Sequence, residues 1–355
     1  MRGPQLMTYK VSLQDNQRQF EVQEDETLLE AALYQEIGLP YGCQSGGCGA
    51  CRARIVSGEV EYDYDPPALS EREKAEGYAL LCQARPRSDL VIQVEELPDH
   101  HAIQVRNMPV RVERREQLCH DVMALWLRLP KGEAFEYLAG QYLDFLLRDG
   151  RRRSFSIANS PAEFRRTGLL ELHLRHVPEG SFTAHVFNEM TDRAMLRMEA
   201  PLGGFYLRED NERPIVFMAG GTGFAPIKSM IEHALERKLD RPMHLYWGVR
   251  ARRDLYMSDL AEQWQAKNPS LRFTPVLSEA TEEDQWPGKR GLVHEAVAED
   301  HPDMRDLDVY MSGPPVMIQA ASKQFSSQGL PDGQLHYDSF DYAYQTWPDK
   351  EASTG

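Results

Sequence analysis

Four of the five cysteines in this 355-residue chain have a spacing that restricts what the chain can fold into. Cys43, Cys48 and Cys51 follow the pattern C-x4-C-x2-C, and Cys82 comes after thirty further residues. This is a ligand spacing of [2Fe–2S] clusters, in which the fourth thiolate comes from a distant part of the chain. Only glycine, serine, alanine and glutamine separate the first three cysteines. A short loop of such residues can wrap a metal cluster and turn its backbone N–H groups toward the sulfurs.

A zinc site is the alternative for four cysteines. Zinc ribbons usually supply two short pairs of the form C-x2-C, whereas Cys82 has no other cysteine nearby. We therefore predict that Cys43, Cys48, Cys51 and Cys82 bind a [2Fe–2S] cluster. Cys119 is left over and is expected to be an ordinary half-buried thiol.

Length and composition narrow the class of protein. The length predicts two or three domains, and the sequence has no run of eighteen apolar residues that could cross a membrane. The first seven residues lack the apolar segment of a secretory signal. Too few cysteines remain for a disulfide framework, so a cytoplasmic location is expected.

The charge of the chain bears on its partners. A net charge of −15 argues against binding to nucleic acid or to an anionic membrane surface. Residues 1–99 hold nine Lys and Arg against eighteen Asp and Glu. An acidic surface of this kind can steer a basic partner protein or can simply favour solubility, and the sequence does not choose between the two.

Hydrophobic periodicity divides the chain into three parts. In the first, Thr27 and Glu30 form a capping box at the start of a helix that is predicted to end near Gly38. Strands, this helix, the cysteine loop and a closing strand follow in the order expected of a β-grasp domain, which we place at 8–97, with a linker at 98–107. The strand-like segments are 8–13, 18–23 and 90–94.

The other two parts have different periodicities. Alternating apolar residues at 108–210, with one helix near 183–190, predict an antiparallel β-barrel. From 211 to 345 short apolar strands alternate with helices, which predicts a doubly wound parallel sheet. Residues 346–355 form a polar tail. The predicted fold class is therefore a multidomain α+β and α/β protein.

A glycine-rich turn opens the third part. The apolar strand 215–219 runs into Gly220-Gly221-Thr222-Gly223-Phe224-Ala225-Pro226, where a helix begins. Glycines let a backbone approach phosphate closely, the helix N-terminus presents free N–H groups, and proline suits the first helical turn. The motif differs from G-x-G-x-x-G, so taken alone it can also be an ordinary tight strand–helix connection.

A strand of the second part carries three groups that a flavin needs. Arg153, Phe155 and Ser156 supply a cation for a pyrophosphate, an aromatic face for a ring and a donor for the reactive nitrogen. The alternative is an ordinary barrel strand with Arg153 in a surface ion pair.

The order of the motifs along the chain decides between these alternatives. R-x-F-S at 153–156 is followed by G-x-x-T at 180–183, by G-G-T-G-x-x-P at 220–226 and by G-P-P-x-M at 313–317. This order resembles the ferredoxin–NADP⁺ reductase superfamily. Joined to a plant-type ferredoxin domain, residues 8–345 are similar to the three-domain NADH-dependent reductases of bacterial oxygenases and, especially, to the CDP-6-deoxy-glucoseen reductases.

The resemblance implies roles for matching residues. On the flavin side, Arg153 would neutralise FAD phosphate, Phe155 would stack on the isoalloxazine, Ser156 would donate toward N5, and Phe340 would be a C-terminal aromatic against the flavin. The turn that holds the flavin pyrophosphate would contain Gly180, Ser181 and Thr183. The residues implied for the nicotinamide nucleotide are Gly220, Gly221, Thr222, Gly223, Pro226, Gly248, Arg250, Ser312, Gly313, Pro314 and Met317.

Two departures from the family pattern concern these roles. Many relatives carry a cysteine at the position of Ser312, where a hydroxyl could still contact the nicotinamide. The chain also continues past Phe340, unlike relatives that end at the aromatic.

Arg250 and the arginines beside it could bind the 2′-phosphate of NADPH or face solvent, and the resemblance favours NADH. His173 and His176 fall on opposite faces of a strand and are not expected to form a metal site.

The function implied is electron transfer from NADH through FAD and the [2Fe–2S] cluster to an iron–sulfur acceptor protein. The acceptor would be the oxygenase component of a hydroxylating system or, alternatively, a CDP-sugar dehydrase in dideoxyhexose synthesis. Two other classes remain open: an iron–sulfur carrier or sensor without flavin, and a free flavin reductase with a vestigial cluster domain. The oligomeric state is not predicted.

Overall fold

The computed structural model describes residues 7–16, 18–94, 96–97, 104–178 and 180–339. Within these ranges the strands form three large sheets and one small two-stranded sheet, and the large sheets follow one another along the chain. No helix in the described ranges combines the length and the apolar character that a membrane crossing requires.

The first sheet has five strands in the order β2-β1-β7-β3-β5, with β4 and β6 paired beside it. Strand β7 lies parallel to β1 and antiparallel to β3, so the end of this part of the chain returns to the middle of its sheet. The elements are β1 (Thr8–Leu13), β2 (Gln19–Gln23), α1 (Leu28–Tyr34), β3 (Arg52–Ser57), β4 (Val60–Glu61), α2 (Glu71–Ala75), β5 (Tyr78–Leu80), β6 (Arg85–Pro86) and β7 (Leu90–Gln93).

Helix α1 begins at the predicted capping box. The Thr27 hydroxyl accepts the Glu30 backbone N–H at 3.2 Å, and the Glu30 carboxylate accepts the Thr27 N–H at 3.1 Å, which confirms this prediction. The helix ends at Tyr34, earlier than the predicted end near Gly38. Glu36, with φ of 58°, adopts a left-handed conformation that cannot continue the helix.

The second sheet is antiparallel and closes on itself. Its strand order is β11-β10-β13-β8-β9-β12, and a bridge between Ile157 and Leu172 joins the two edge strands. Strand β8 begins at Arg106, inside the predicted linker, of which residues 98–103 lie outside the described ranges. The elements are β8 (Arg106–Cys119), β9 (Val122–Arg128), β10 (Tyr142–Leu146), β11 (Arg152–Ser156), α3 (Pro161–Thr167), β12 (Leu169–Arg175), α4 (Ser181–Asn188) and β13 (Met195–Leu202).

The expectation of one helix in this part is wrong, because α3 precedes β12. Its boundaries were readable from the sequence. Ser160 caps the N-terminus by accepting the Glu163 N–H at 3.0 Å, Pro161 occupies the first turn, and Gly168 ends the helix in a left-handed conformation.

The third sheet is parallel, in the order β17-β16-β15-β14-β18-β19. After β14 the chain adds β15, β16 and β17 on one side of that strand, and it then adds β18 and β19 on the other side. In sheets of this kind ligands bind at such a switch point, beyond the carboxyl ends of the strands. The elements are β14 (Ile215–Gly220), α5 (Phe224–Arg237), β15 (Met243–Val249), α6 (Ser258–Lys267), β16 (Leu271–Leu277), β17 (Lys289–Arg290), α7 (Val293–Asp300), β18 (Asp308–Gly313), α8 (Pro315–Ser327) and β19 (Leu335–Ser339).

A buried ion cluster joins the barrel to the parallel sheet. The Lys228 Nζ on α5 lies 3.1 Å from a Glu171 oxygen on β12 and 3.0 Å from a Glu232 oxygen. Burial opposes ionisation of Glu171, but the hydrogen bond to His173 and the Lys228 charge together lower the pKa of Glu171 to about 2. Burial instead raises the pKa of Glu232 to about 7. The two domains therefore meet through a desolvated network with fixed geometry.

Candidate functional site

The four predicted iron ligands lie together in two pairs. The sulfurs of Cys51 and Cys82 are 3.2 Å apart, and the Cys48 sulfur lies 3.4 Å from the Cys43 backbone nitrogen. Cys82 follows β5, which pairs with β3, and β3 begins directly after Cys51. The sheet thus brings the distant fourth thiol to the loop.

Backbone amides of the loop point at the sulfurs. The amides of Ser45 and Cys48 lie 3.4 and 3.3 Å from the Cys43 sulfur, and the amide of Ala50 lies 3.5 Å from the Cys48 sulfur. The hydrogen bond from Cys48, together with those from Ser45, lowers the pKa of Cys43 to about 5. Donors in these positions stabilise the thiolate form, which is the form that ligates iron.

The spacing of the sulfurs fits two irons better than one zinc. With Zn–S distances of about 2.3 Å, all four sulfurs of a tetrahedral zinc site lie within roughly 4 Å of one another. Among the described residues, no three of the four cysteine sulfurs lie within 4.8 Å of one another. Three potential ligand atoms come that close at Cys119, His120 and Asp121. Two separate pairs of sulfurs are what a cluster with two irons requires.

The cluster loop is held on both sides. The Gln83 amide donates to the Gln44 carbonyl at 2.8 Å, and the Tyr64 hydroxyl donates to the Ser45 carbonyl at 3.1 Å. At Gly42 a Cβ atom would lie 3.1 Å from the Cys48 sulfur, which accounts for the glycine beside the first ligand. The loop conformation is thus set by the fold around it.

Strand β11 places Arg153 and Phe155 on one face and Ser156 on the other, because side chains alternate along a strand. Phe155 packs against Phe145 and Phe182 inside the barrel, with ring centroids 5.8 and 5.7 Å away. A ligand that contacts all three predicted residues must therefore pass around the end of β11.

Arg153 differs from the two arginines before it. Arg151 pairs with Asp149 at 2.6 Å, and Arg152 pairs with Glu199 at 2.8 Å. Arg153 is half-buried, donates to the Arg152 carbonyl, and forms no ion pair with a carboxylate in the described part of the chain. Burial lowers its pKa, with a contribution from Arg151. A half-buried cation of this kind fits an anionic ligand.

Ser156 is buried at the junction of the three sheets. Its hydroxyl donates to Asp338 on β19 at 3.5 Å. Burial and the nearby Cys43 sulfur raise the pKa of Asp338 to about 7. A Cβ atom on Gly42 would lie 4.0 Å from an Asp338 oxygen. The flavin motif, the cluster loop and the last strand of the parallel sheet therefore come together here.

The predicted turn at 180–183 begins helix α4. Gly180 is the N-cap and has no side chain that could accept from the first N–H groups of the helix, so the cap leaves these donors to another acceptor. The Thr183 hydroxyl accepts the Val177 N–H at 3.1 Å and contacts the Gly180 carbonyl at 3.2 Å. Thr183 thus supports the turn, while Ser181 occupies the first helical position.

The glycine motif and the G-P-P-x-M motif lie against each other at the switch point. A Cβ atom on Gly220 would come within 2.7 Å of the Met317 sulfur and 3.0 Å of Pro314. A Cβ atom on Gly223 would come within 2.0 Å of the Ser312 carbonyl oxygen. Gly221 has a φ of +56°, and Gly313 has a φ of +153°. Strands β14 and β18 are neighbours, so these motifs meet although they are far apart in sequence.

Ser312 is fully buried at the end of β18, and its hydroxyl has no hydrogen-bond partner in the described residues. Such a group is rare, because an unsatisfied buried hydroxyl is costly. A polar atom of a bound nucleotide could satisfy it. This observation fits a ligand at the switch point.

Two residues predicted for the nucleotide site have other surroundings. Gly248 lies against α7, where its Cβ would come within 2.6 Å of Val293, so packing already explains the glycine. The Arg250 side chain is exposed and lies 3.9 Å from Glu279. Phe340 lies outside the described residues, as does the tail at 346–355.

Three residues at these sites were not predicted from the sequence. Asp338 contacts Ser156, Tyr142 contacts the cluster loop, and the Arg175 guanidinium lies 3.2 Å from where a Gly221 Cβ would be. Arg175 on β12 also pairs with Asp121 at 2.8 Å. No local pattern singles these residues out, because each acts across a domain boundary.

Comparison with known protein families gives a match for each of the three parts. A 2Fe-2S iron-sulfur cluster binding domain matches residues 11–87, an oxidoreductase FAD-binding domain matches 109–206, and an oxidoreductase NAD-binding domain matches 217–323. The predicted cofactors, a [2Fe–2S] cluster, FAD and NADH, are confirmed at the level of these domains.

Characterised relatives share this arrangement over nearly their whole length. The CDP-6-deoxy-L-threo-D-glycero-4-hexulose-3-dehydrase reductase of Yersinia pestis is 41% identical over 88% of this chain and 93% of its own. The phenol hydroxylase P5 protein of Acinetobacter pittii is 35% identical over 94% and 95%. The crystal structure of the Amycolatopsis cytochrome P450 reductase GcoB is 32% identical, with a TM-score of 0.76 over 94% of this chain and 99% of that one. With two pairs of cysteine sulfurs, a flavin-type barrel and a nucleotide-type sheet in one polypeptide, this chain belongs to the family of three-domain NADH-dependent iron–sulfur flavoprotein reductases.

Proposed function

We propose that the chain transfers electrons from NADH to a separate iron–sulfur protein through three sites that meet near Ser156. The observation that carries this proposal is the junction itself, where Ser156 contacts Asp338 and Asp338 lies beside Gly42 of the cluster loop. When bound, FAD supplies the exchange between a two-electron hydride donor and a one-electron metal centre.

At the flavin site, Arg153 neutralises pyrophosphate charge, because it is half-buried and lacks a carboxylate partner in the described residues. Phe155 supplies an aromatic surface, and Ser156 supplies a hydroxyl at the end of β11. The start of α4, at Gly180, Ser181 and Thr183, adds backbone N–H donors.

At the nicotinamide nucleotide site, the backbone of Gly220, Gly221, Thr222 and Gly223 and the start of α5 at Pro226 bind pyrophosphate. Gly313, Pro314 and Met317 line the nicotinamide side, and the unsatisfied Ser312 hydroxyl orients the nicotinamide group. Gly248 and Arg250 lie at the end of β15, toward the adenosine ribose. Phe340 would cover the flavin.

The domains are proposed to span residues 8–97, 108–210 and 211–345. Cys43, Cys48, Cys51 and Cys82 are proposed as the iron ligands. A cytoplasmic location is part of the proposal, because the four thiols must stay reduced to bind iron and would be lost to disulfides in an oxidising compartment.

The relatives suggest two classes of acceptor. The acceptor expected from the sequence is an oxygenase component, with a CDP-sugar dehydrase as the alternative. The 41% identity to the Yersinia pestis dehydrase reductase, against 35% for the phenol hydroxylase protein, gives the dehydrase the stronger support. Both acceptors draw on the same internal electron path, so the choice lies in docking and not in the cofactors.

The experiment that tests the function is an anaerobic titration with NADH, followed by visible and EPR spectroscopy. The expected result is loss of both flavin and iron–sulfur absorbance, with a rhombic signal from the reduced cluster. A protein that binds iron and sulfide but no flavin, and does not oxidise NADH, would instead be a carrier. NADPH in a parallel titration tests the nucleotide preference.

The acceptor is tested by reconstitution. The reduced chain is mixed with a purified CDP-sugar dehydrase carrying an iron–sulfur centre, or with a phenol hydroxylase oxygenase component, and NADH-dependent turnover of each is compared. Faster turnover with the dehydrase supports the assignment above. Faster turnover with the oxygenase reverses it without affecting the NADH titration.

A further inference from the structure

Tyr142 connects the barrel to the cluster loop on either side of the first iron ligand. Its hydroxyl donates to the Gly42 carbonyl at 2.7 Å and accepts the Gln44 side-chain N–H at 3.1 Å. Gly42 and Gln44 flank Cys43 in the sequence. One hydroxyl of the flavin domain therefore holds both residues that flank this ligand, Gly42 through its backbone and Gln44 through its side chain.

The barrel holds the Tyr142 ring rigidly. Tyr142 lies on β10 directly opposite Ser156 on β11, and the residue is 6% exposed. At Gly203 a Cβ atom would come within 2.8 Å of the Tyr142 ring, and the φ of Gly203 is +95°. The ring occupies space that only glycine leaves open, so the hydroxyl has little freedom to move.

A backbone hydrogen bond next to the Tyr142 ring also connects the barrel to the cluster loop. The Gly204 N–H donates to the Tyr41 carbonyl at 2.8 Å. A Cβ atom on Gly204 would lie 3.1 Å from the Tyr41 nitrogen and 3.3 Å from the Pro40 Cα. The loop segment 40–44 thus lies directly against the end of β13 and against Tyr142 on β10, the strand that pairs with β11.

We propose that Tyr142, together with Gln44, is the positioning residue for electron transfer from flavin to cluster. This inference rests on the proposed function. Tyr142 is not among the residues assigned above to iron or to FAD. It acts by holding the Cys43 side of the loop against the strand pair that contains Ser156, which keeps the donor and the acceptor at one separation.

The test compares Tyr142→Phe with Tyr137→Phe in the holoprotein. Tyr137 is the matched control, because it is also a buried barrel tyrosine whose hydroxyl donates to a carbonyl, that of Asn159 at 2.8 Å, away from the cluster loop. In anaerobic stopped-flow reduction by NADH, Tyr142→Phe should keep the rate of flavin reduction. It should slow cluster reduction by about fivefold, because without both hydrogen bonds the Cys43 side of the loop shifts away from β11. Tyr137→Phe should keep both rates.

Hydrogen exchange gives a readout that does not depend on turnover. The Gly204 amide should exchange about fivefold faster in Tyr142→Phe than in the unmodified chain, because the loop undocks more often. Gln44→Ala, which loses one of the two bonds, should fall between them. The EPR signal of the dithionite-reduced cluster should stay the same, which shows that the cluster itself is intact.

Three outcomes overturn the inference. Cluster reduction and Gly204 exchange could be unchanged in Tyr142→Phe, or Tyr137→Phe could slow cluster reduction as much as Tyr142→Phe does. If Tyr142→Phe fails to fold, unchanged rates in Gln44→Ala overturn the inference. Failure of NADH to reduce the cluster in the unmodified chain rejects the proposed function itself.

Discussion

Arg151, Arg152 and Arg153 follow one another in the chain, and their guanidinium groups have different surroundings. The first two form ion pairs with Asp149 and Glu199. The third lies on the same face of β11 as Phe155 and forms no ion pair with a carboxylate in the described residues. At the residue scale, alternation along β11 separates Arg153 from Arg152, and Asp149 pairs with Arg151, so one arginine of the three stays available for an anionic ligand.

This selection predicts the effect of removing each charge. Arg153→Ala should weaken FAD binding by about tenfold, in line with a charge-assisted hydrogen bond. Arg151→Ala, the matched control, should change affinity by less than about twofold, because its charge is exposed and already paired. Equilibrium dialysis or flavin fluorescence measures both. Equal effects of the two variants would contradict a specific role for Arg153.

At the element scale, the joint between β12 and α5 depends on buried charges. Glu171 and Lys228 are both nearly inaccessible to solvent. The pKa of Glu171 in the folded chain, about 2, lies below the ordinary glutamate value of 4.5. The ionised form is therefore favoured by folding. Its contribution to stability is complete above about pH 4.5 and is lost as the pH falls toward 2.

The corresponding variant is Glu171→Gln. It should lower the free energy of unfolding at pH 7 by roughly 3 kcal/mol, the cost of breaking a buried ion pair. The loss should shrink at pH 3, because Glu171 of the unfolded chain is then mostly protonated while Glu171 of the folded chain is still mostly ionised. Urea unfolding at the two pH values measures this difference.

Glu163→Gln is the control for that measurement. Glu163 pairs with Arg166 on α3 at 2.6 Å, and the Arg166 side chain is 72% exposed. Its removal should cost less than about 1 kcal/mol at pH 7. A pH-independent loss in Glu171→Gln would show that packing, not charge, holds the joint.

Elements with a local signal could be predicted from the sequence. The capping box at Thr27, the cysteine loop and the glycine turn after β14 each depend on residues close together in the chain. The end of α1 was predicted too late, because Glu36 adopts a left-handed conformation at a position where the sequence has neither glycine nor proline. Contacts such as Gly223 with Ser312 depend on strand order, which periodicity alone does not give.

At the scale of the whole molecule, the cluster domain can be separated in function from the barrel and the parallel sheet. Cys48 lies in the cluster loop, whereas Cys119 lies at the end of β8, beside Asp121. The two cysteines thus belong to different domains. The barrel and the parallel sheet meet through their own contacts at Lys228 and Ser229, without the first domain.

This separation predicts the result of removing the cluster. Cys48→Ser should abolish the cluster EPR signal and the NADH-dependent reduction of cytochrome c, because iron loses a ligand. Reduction of ferricyanide, taken directly from the flavin, should persist. Cys119→Ser should keep both activities. Cytochrome c reduction that survives in Cys48→Ser would mean that the chain is a free flavin reductase.

Gly203 and Gly204 determine how the acceptor protein can reach the cluster. They let the barrel lie so close to residues 40–42 that the first domain cannot swing outward without breaking the contact from Gly204 to Tyr41. A mobile domain that moved between the flavin and the acceptor would have to break and re-form this contact in every turnover. The iron domain is instead anchored, so the acceptor must travel to it. Solvent viscosity should therefore slow the meeting of the two proteins and leave the internal relay unaffected.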